Sequence, residues 1–141
     1  MKSILFISLI LSSFFASAQS TTELLRFDGL YQTEPEVDPE TSDTTTNFIR
    51  FYPDGKVITV GSTGKAYDLK GWFNLRHDDI SQGEYKITNR KIEFSSTSSY
   101  GTVTYEGEIN RDQTLILNVK SMINDYHGLE KYFFIRVTGL K

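Results

Sequence analysis

Apolar and polar residues alternate with a period of two again and again between residues 29 and 137, while a sustained helical period is almost absent. The alternating runs predict strands at Gly29–Thr33, Thr46–Tyr52, Lys56–Gly61, Gly83–Thr88, Lys91–Ser96, Thr102–Asn110, Thr114–Ser121 and Lys131–Val137. These runs are rich in Val, Ile, Thr, Tyr and Phe, the residues that suit a pleated, half-buried surface. Their connections are short and chemically explicit. Pro53-Asp54-Gly55 sets one φ and then supplies a glycine, Asn89-Arg90 offers an asparagine that tolerates the left-handed region, and Asn110-Arg111-Asp112-Gln113 makes a third tight turn. Short links between successive strands dictate antiparallel neighbours, and hence a meander. The fold expected is all-β: an eight-stranded up-and-down antiparallel barrel, whose closure removes exposed edges.

Two segments interrupt the alternation. Glu34–Thr45 holds Pro35, Pro39, five acidic residues and a Ser/Thr run, and reads as a long mobile loop because proline cannot donate to a ladder. Lys65–Arg76 places Ala66, Leu69 and Phe73 at helical spacing, with Trp72 and Leu75 beside them and Gly71 weakening the pattern. It predicts one or two helical turns between the third and fourth strands, lying over an end or side of the barrel. Face assignment then gives the interior: Ile92 and Phe94; Val103, Tyr105 and Ile109 with Gly107; and Leu115, Leu117 and Val119. Gly107 within an inward row marks a bend or a close approach.

The first 18 residues follow a different logic. Lys2 precedes an apolar stretch from Ile4 to Phe15, broken only by serines, and Ala16-Ser17-Ala18 closes it with small residues. This is the order of a cleaved secretory signal, and the stretch falls short of the about 20 residues needed to span a bilayer. The expectation is an exported protein, periplasmic or extracellular, with one domain over residues 19–141 and no membrane span. The formal net charge is −3, and residues 1–18 carry only Lys2, so their removal leaves −4. Charges of both signs are dispersed, with no basic run to hold nucleic acid or an anionic membrane. The absence of cysteine excludes disulfides and a thioether-linked lipid.

The strand order, with Gly29-Leu30-Tyr31 on the first strand and a long loop before the second, resembles the lipocalin-like (calycin) barrels. Lipocalins typically begin with Gly-x-Trp and carry an arginine near the last strand that packs across that aromatic ring. The resemblance therefore implies a structural pair of Tyr31 and Arg136 that closes the barrel. The chain is most similar to short bacterial lipocalin-like exported proteins, a resemblance that implies no settled activity.

The candidate chemistry is sparse. Arg50 and Arg136 lie among aromatics, in Phe48-x-Arg50-x-Tyr52 and Tyr132-x-Phe134-x-Arg136, where a guanidinium inside a cavity would hold a carboxylate bidentately. The opposite faces, Ile49 with Phe51 and Phe133 with Ile135 and Val137, are however the more apolar. His77-Asp78-Asp79 is too contiguous to converge on zinc, and the acids of Glu34–Asp43 lack the glycine and spacing of a calcium loop. Neither a metal nor a cofactor is expected. Glu106 and Glu108, with Glu93, read as outward residues of a solvated sheet rather than a glycosidase pair. Gly61-Ser62-Thr63-Gly64-Lys65 lacks the glycine spacing of a phosphate loop, and Ala66 stands where its hydroxyl belongs. No G-x-S-x-G occurs.

The expected function is accordingly a non-catalytic container for a small apolar or amphiphilic molecule. Its cavity is lined by Phe94, Tyr105 and Leu117, with Arg50 as a polar contact and Trp72 and Phe73 at an open end. The alternative is a filled barrel that binds a protein partner through its loops, as an envelope-associated or inhibitor-like module. An enzyme would need His77 or paired carboxylates gathered in a cleft.

Overall fold

The computed structural model describes residues 24–141, so the expected leader at residues 1–18 lies outside the described residues. Nine strands follow in chain order: β1 (Gly29–Gln32), β2 (Glu36–Val37), β3 (Thr44–Phe51), β4 (Lys56–Ser62), β5 (Ser81–Thr88), β6 (Lys91–Ser98), β7 (Gly101–Ile109), β8 (Leu115–Ser121) and β9 (His127–Arg136). Each barrel strand from β3 onward pairs antiparallel with the next. The sheet closes because β1 pairs on one side with β9, from Gly29↔Arg136 to Gln32↔Phe133, and on the other with β3, at Tyr31↔Ile49 and Gln32↔Phe48. The result is the all-β, eight-stranded meander barrel that the alternation predicts. A four-residue 3-10 turn, Ala66–Leu69, lies between β4 and β5 where the short helical segment is expected.

The barrel strands lie almost where the alternation puts them, and the differences are instructive. β9 begins at His127, four residues before the expected Lys131, and β5 begins at Ser81 rather than Gly83. Glu34–Thr45 is not one long loop. Glu36 and Val37 pair with Thr45 and Thr44, forming a small hairpin beyond Pro35. Its turn is tied by Asp38, whose carboxylate accepts from the amides of Glu40 and Thr41 while its own amide donates to the Asp43 carbonyl. The proline breaks the strand without ending it.

Two apolar cores form on opposite sides of one sheet wall. The lumen holds Tyr31, Ile49, Phe51, Val57, Ile92, Phe94, Tyr105, Ile109, Leu115, Leu117, Val119 and Tyr132, with Leu25 sealing the end where the tight turns cluster. The second core lies outside the barrel, where Leu30, Phe48 and Ile58 of β1, β3 and β4 are covered by Ala66, Leu69, Phe73 and Ile80 of the β4–β5 connection and by Val137. This explains the consecutive apolar residues of β3. Both of its faces are buried from Phe48 to Phe51, so strict alternation is lost there, with Arg50 the one charged residue among them. The same covering accounts for the apolar Ile135 and Val137 on the outward side of the last strand.

Strand coiling tight enough for eight strands requires close backbone approaches. A Cβ on Gly107 would run into the Ile116 carbonyl of β8, and one on Gly83 into the Ser95 carbonyl of β6. Both glycines face inward and meet backbone that cannot swing aside. Gly107→Ala is therefore expected to destabilise the barrel by about 1–3 kcal/mol, as over-packing does. Urea denaturation of the purified protein measures it, and an unchanged midpoint contradicts the close approach.

Candidate functional site

In an up-and-down barrel, connections alternate between the two ends. At one end the turns at Pro53–Gly55, Asn89-Arg90 and 110–114 are short, and Leu24, Leu25 and Phe27 pack beneath the lumen. At the other end lie the β2–β3 hairpin, the long β4–β5 connection, the Ser99-Tyr100 turn and the 122–126 loop. A concavity of about 450 Å³ opens there, lined by Asn47, Thr59, Gly61, Ser81, Ser98, Val103, Tyr105 and Tyr132, with Tyr100 and Ile123 at its rim.

The inward face changes character toward this mouth. Deep in the lumen aromatic rings interlock: Phe94 stacks on Tyr105 with centroids 4.5 Å apart, and Phe51 meets Tyr31, Tyr85 and Phe94 edge-on at 5.5, 5.1 and 5.6 Å. Nearer the mouth the inward residues are small and polar. Ser96, fully buried, shares one hydrogen bond with Thr59 (2.6 Å) and another with Ser81 (2.7 Å), so hydroxyls of β4, β5 and β6 form a chain. The Tyr105 phenol lies beside them. Burial raises its pKa above the ordinary value, with hydrogen bonding to Thr59 and Ser96 opposing the rise.

A second polar group faces them from β9. Glu130 shares the inward face with Tyr132, and its Oε1 accepts from Asn47 Nδ2 at 2.8 Å and from the Tyr132 hydroxyl at 3.2 Å. The reason it stands there is the shortness of β1. That strand stops at Gln32, so the N-terminal half of β9 has no strand partner on that side, and side chains rather than backbone span from β9 to β3. Burial pushes the Glu130 carboxyl above its usual range, the two hydrogen bonds oppose the rise, and Glu36 nearby adds to it. Burial likewise holds the Tyr132 phenol well above its usual value.

The residues singled out from sequence fall in three places. Phe94, Tyr105 and Leu117 are together in the lumen. Phe73 is buried in the outer core, and Trp72 is exposed on the barrel's flank, its ring stacked on His77 at 4.9 Å rather than standing at the mouth. Arg50 also faces outward, buried under the β4–β5 connection. Its Nη1 donates to the carbonyls of Phe73 (2.8 Å) and Lys141 (2.7 Å), and its guanidinium lies 4.4 Å from the Tyr52 ring centroid. It pins the connection to the barrel wall. The expected stacking of Arg136 on Tyr31 gives way to another arrangement. The register pairs Tyr31 with Phe134 and Gly29 with Arg136, which carries Arg136 beyond Tyr31 to an exposed position 3.8 Å from Asp28. Tyr31 packs against Phe51 and Phe134 instead, and its hydroxyl accepts from the Arg26 amide. The Arg26 guanidinium covers the Phe134 ring at 4.2 Å and pairs with Asp28 at 2.8 Å, which lowers the Asp28 pKa.

No protein-family model, curated protein or solved structure matches this chain. The closed barrel is compatible with a calycin-like fold, and the function rests on the geometry alone. Among the described residues, no group of three metal-ligating side chains converges, and no helix is long and apolar enough to cross a membrane. Glu93, Glu106 and Glu108 are exposed on the outer face, where a shallow trough mixes them with Lys86 and Lys91. That is a solvated sheet surface.

Thr59, Ser96 and Glu130 were not singled out in the sequence. Their one signal was position: each shares the inward face with apolar neighbours, namely Val57, Phe94 and Tyr132. Removing the Ser96 hydroxyl strands the Thr59 and Ser81 oxygens, so Ser96→Ala is expected to cost about 1–3 kcal/mol in a thermal or urea unfolding experiment. Glu130 has the opposite sign. Its pKa is raised on folding, so its stabilising contribution is present at acid pH and lost as pH rises through the folded value. Glu130→Gln is expected to stabilise the protein at neutral and alkaline pH, with the gain shrinking as the pH falls into the carboxylate range. Unfolding midpoints across that pH span test this.

Proposed function

We propose that the chain is an exported, non-catalytic barrel that holds a small amphiphilic ligand at its mouth rather than deep in its lumen. Export draws on the pattern of residues 1–18. Binding draws on one juxtaposition: a buried hydroxyl chain and an aromatic floor lie directly beneath an exposed apolar rim. Tyr100 and Ile123 are 81% and 48% exposed, and Met122 and Tyr126, on the same loop as Ile123, are exposed as well. Large apolar side chains gathered at a concave opening mark a contact surface, since water alone gives no reason to place them there. The lower lumen is occupied by the protein's own interlocking rings, so the guest is shallow-seated and of modest size. Its apolar part meets the rim, and its polar part reaches Thr59, Asn47 and Tyr105.

A second reading, docking of a protein partner through the rim, draws on the same exposed side chains. The two are separated by whether a small molecule enters the cup. Titration of hexanol-sized amphiphiles, followed by amide chemical shifts, is expected to move the resonances of Thr59, Ser96 and Val103 and to leave those of the outer trough still. Ile123→Ser, which alters an exposed side chain, is expected to leave the melting temperature unchanged and to weaken uptake about fivefold, as loss of apolar contact of this size does. Shifts confined to the rim loops, with the cup residues silent, favour the protein-docking reading.

A further inference from the structure

The polar side of the cup is electrically one-sided: its lining residues Asn47 and Tyr132 both bond the half-buried Glu130, which stands just behind the lining. Glu130 is the ionisable carboxyl that faces inward at the mouth, and among the described residues no Lys, Arg or His lies within ion-pair distance of it; both ion pairs are made by Asp28 at the closed end. The groups around it on every packed element are Asn47 of β3, Tyr105 of β7, Tyr132 of β9, Tyr126 of the β8–β9 loop and Glu36 of β2. They comprise one amide, three phenols and a second carboxylate. Both hydrogen bonds to Glu130 arrive at Oε1, which leaves Oε2 available for another donor. A half-buried carboxylate held in place by neutral donors, without a counter-charge, is costly for the free protein and becomes favourable when a cation arrives. Of the three phenols Tyr126 is exposed, whereas Tyr132 is buried and one face of Tyr105 is covered by Phe94, so Tyr126 is the ring open to an ammonium group.

Building on the mouth-binding reading, we propose that the ligand is an organic cation, an amine or quaternary ammonium with a short apolar tail. Its charged head pairs with Glu130 beside Tyr126, and its tail lies against Tyr100 and Ile123. Hydrogen bonds from Asn47 and Tyr132 fix the carboxylate, so the site is pre-organised and does not have to order a long side chain on binding.

Three probes of equal tail length decide it: hexyltrimethylammonium, hexanol and hexanoate, each titrated into the full-length folded protein and followed by amide shifts at the mouth. The cation is expected to bind about tenfold more tightly than hexanol, the scale of one charged contact, and hexanoate more weakly than either. Glu130→Gln retains an oxygen acceptor for Asn47 and Tyr132, and is expected to abolish the preference for the cation over hexanol. The charge of hexyltrimethylammonium does not titrate, so its affinity is expected to fall as the pH drops from neutral into the carboxylate range and Glu130, whose pKa burial raises, is protonated, and to be flat in the Gln variant. Over that range the phenols stay neutral. Equal binding of all three probes, or a preference that survives Glu130→Gln, overturns the cation assignment and leaves the mouth-binding reading standing. Mouth resonances that no probe moves overturn both. Should the Gln variant not fold, the pH profile of the unsubstituted protein decides, and a flat profile sinks the proposal.

Discussion

The structure depends on β1 hydrogen-bonding two neighbours at once. Four residues, Gly29–Gln32, give their edges to β9 on one side and to β3 on the other, and through them the meander becomes a closed wall. Without that double pairing β3 and β9 would be the free edges of an open sheet, and the aromatic interior would face water. Tyr31 sits at the centre of this closure, wholly buried and in edge contact with Phe51 of β3 and Phe134 of β9. Backbone pairing and ring packing thus act on the same four residues.

The shortness of β1 also creates the candidate site. A longer first strand would zip the whole seam and leave β9 fully paired. Instead the chain turns away at Thr33, Pro35 withholds a donor, and the strand resumes as β2 paired only with β3. Over that stretch Glu130 and Asn47 reach across in place of backbone. A polar, partly desolvated carboxylate therefore stands where a sealed barrel would have an apolar side chain.

The wall that carries β3 and β4 is buried on both sides, and this sets how the interior is divided. The β4–β5 connection leaves and rejoins the barrel at the open end but, clamped by Arg50 on the Phe73 carbonyl, places its buried apolar residues on the outer core. The rim is built instead from the turns of β6–β7 and β8–β9. The lower lumen is filled by stacked and edge-on rings, while the upper lumen is left to small hydroxyl residues that pack less volume, and there the concavity opens.

Much of the architecture was legible in the residues alone. Period-two alternation and turn chemistry are local properties, so strand positions, strand count, the meander and the inward set of Ile92, Phe94, Tyr105, Ile109, Leu115, Leu117 and Val119 follow from neighbours in the chain. The fate of Arg50, Trp72 and Arg136 was not legible, because each depends on which face of a doubly buried strand, or which level of the barrel, tertiary packing assigns to it. Arg136 shows this most clearly: its level is set by the register with Gly29, and no local pattern encodes that register. Glu130 was hidden for the same reason, in a stretch whose glycine and charges read as loop until pairing with β8 drew it into a strand. Alternation fixes which side chains lie together on a face, whereas only closure of the sheet decides which of them meet across the lumen.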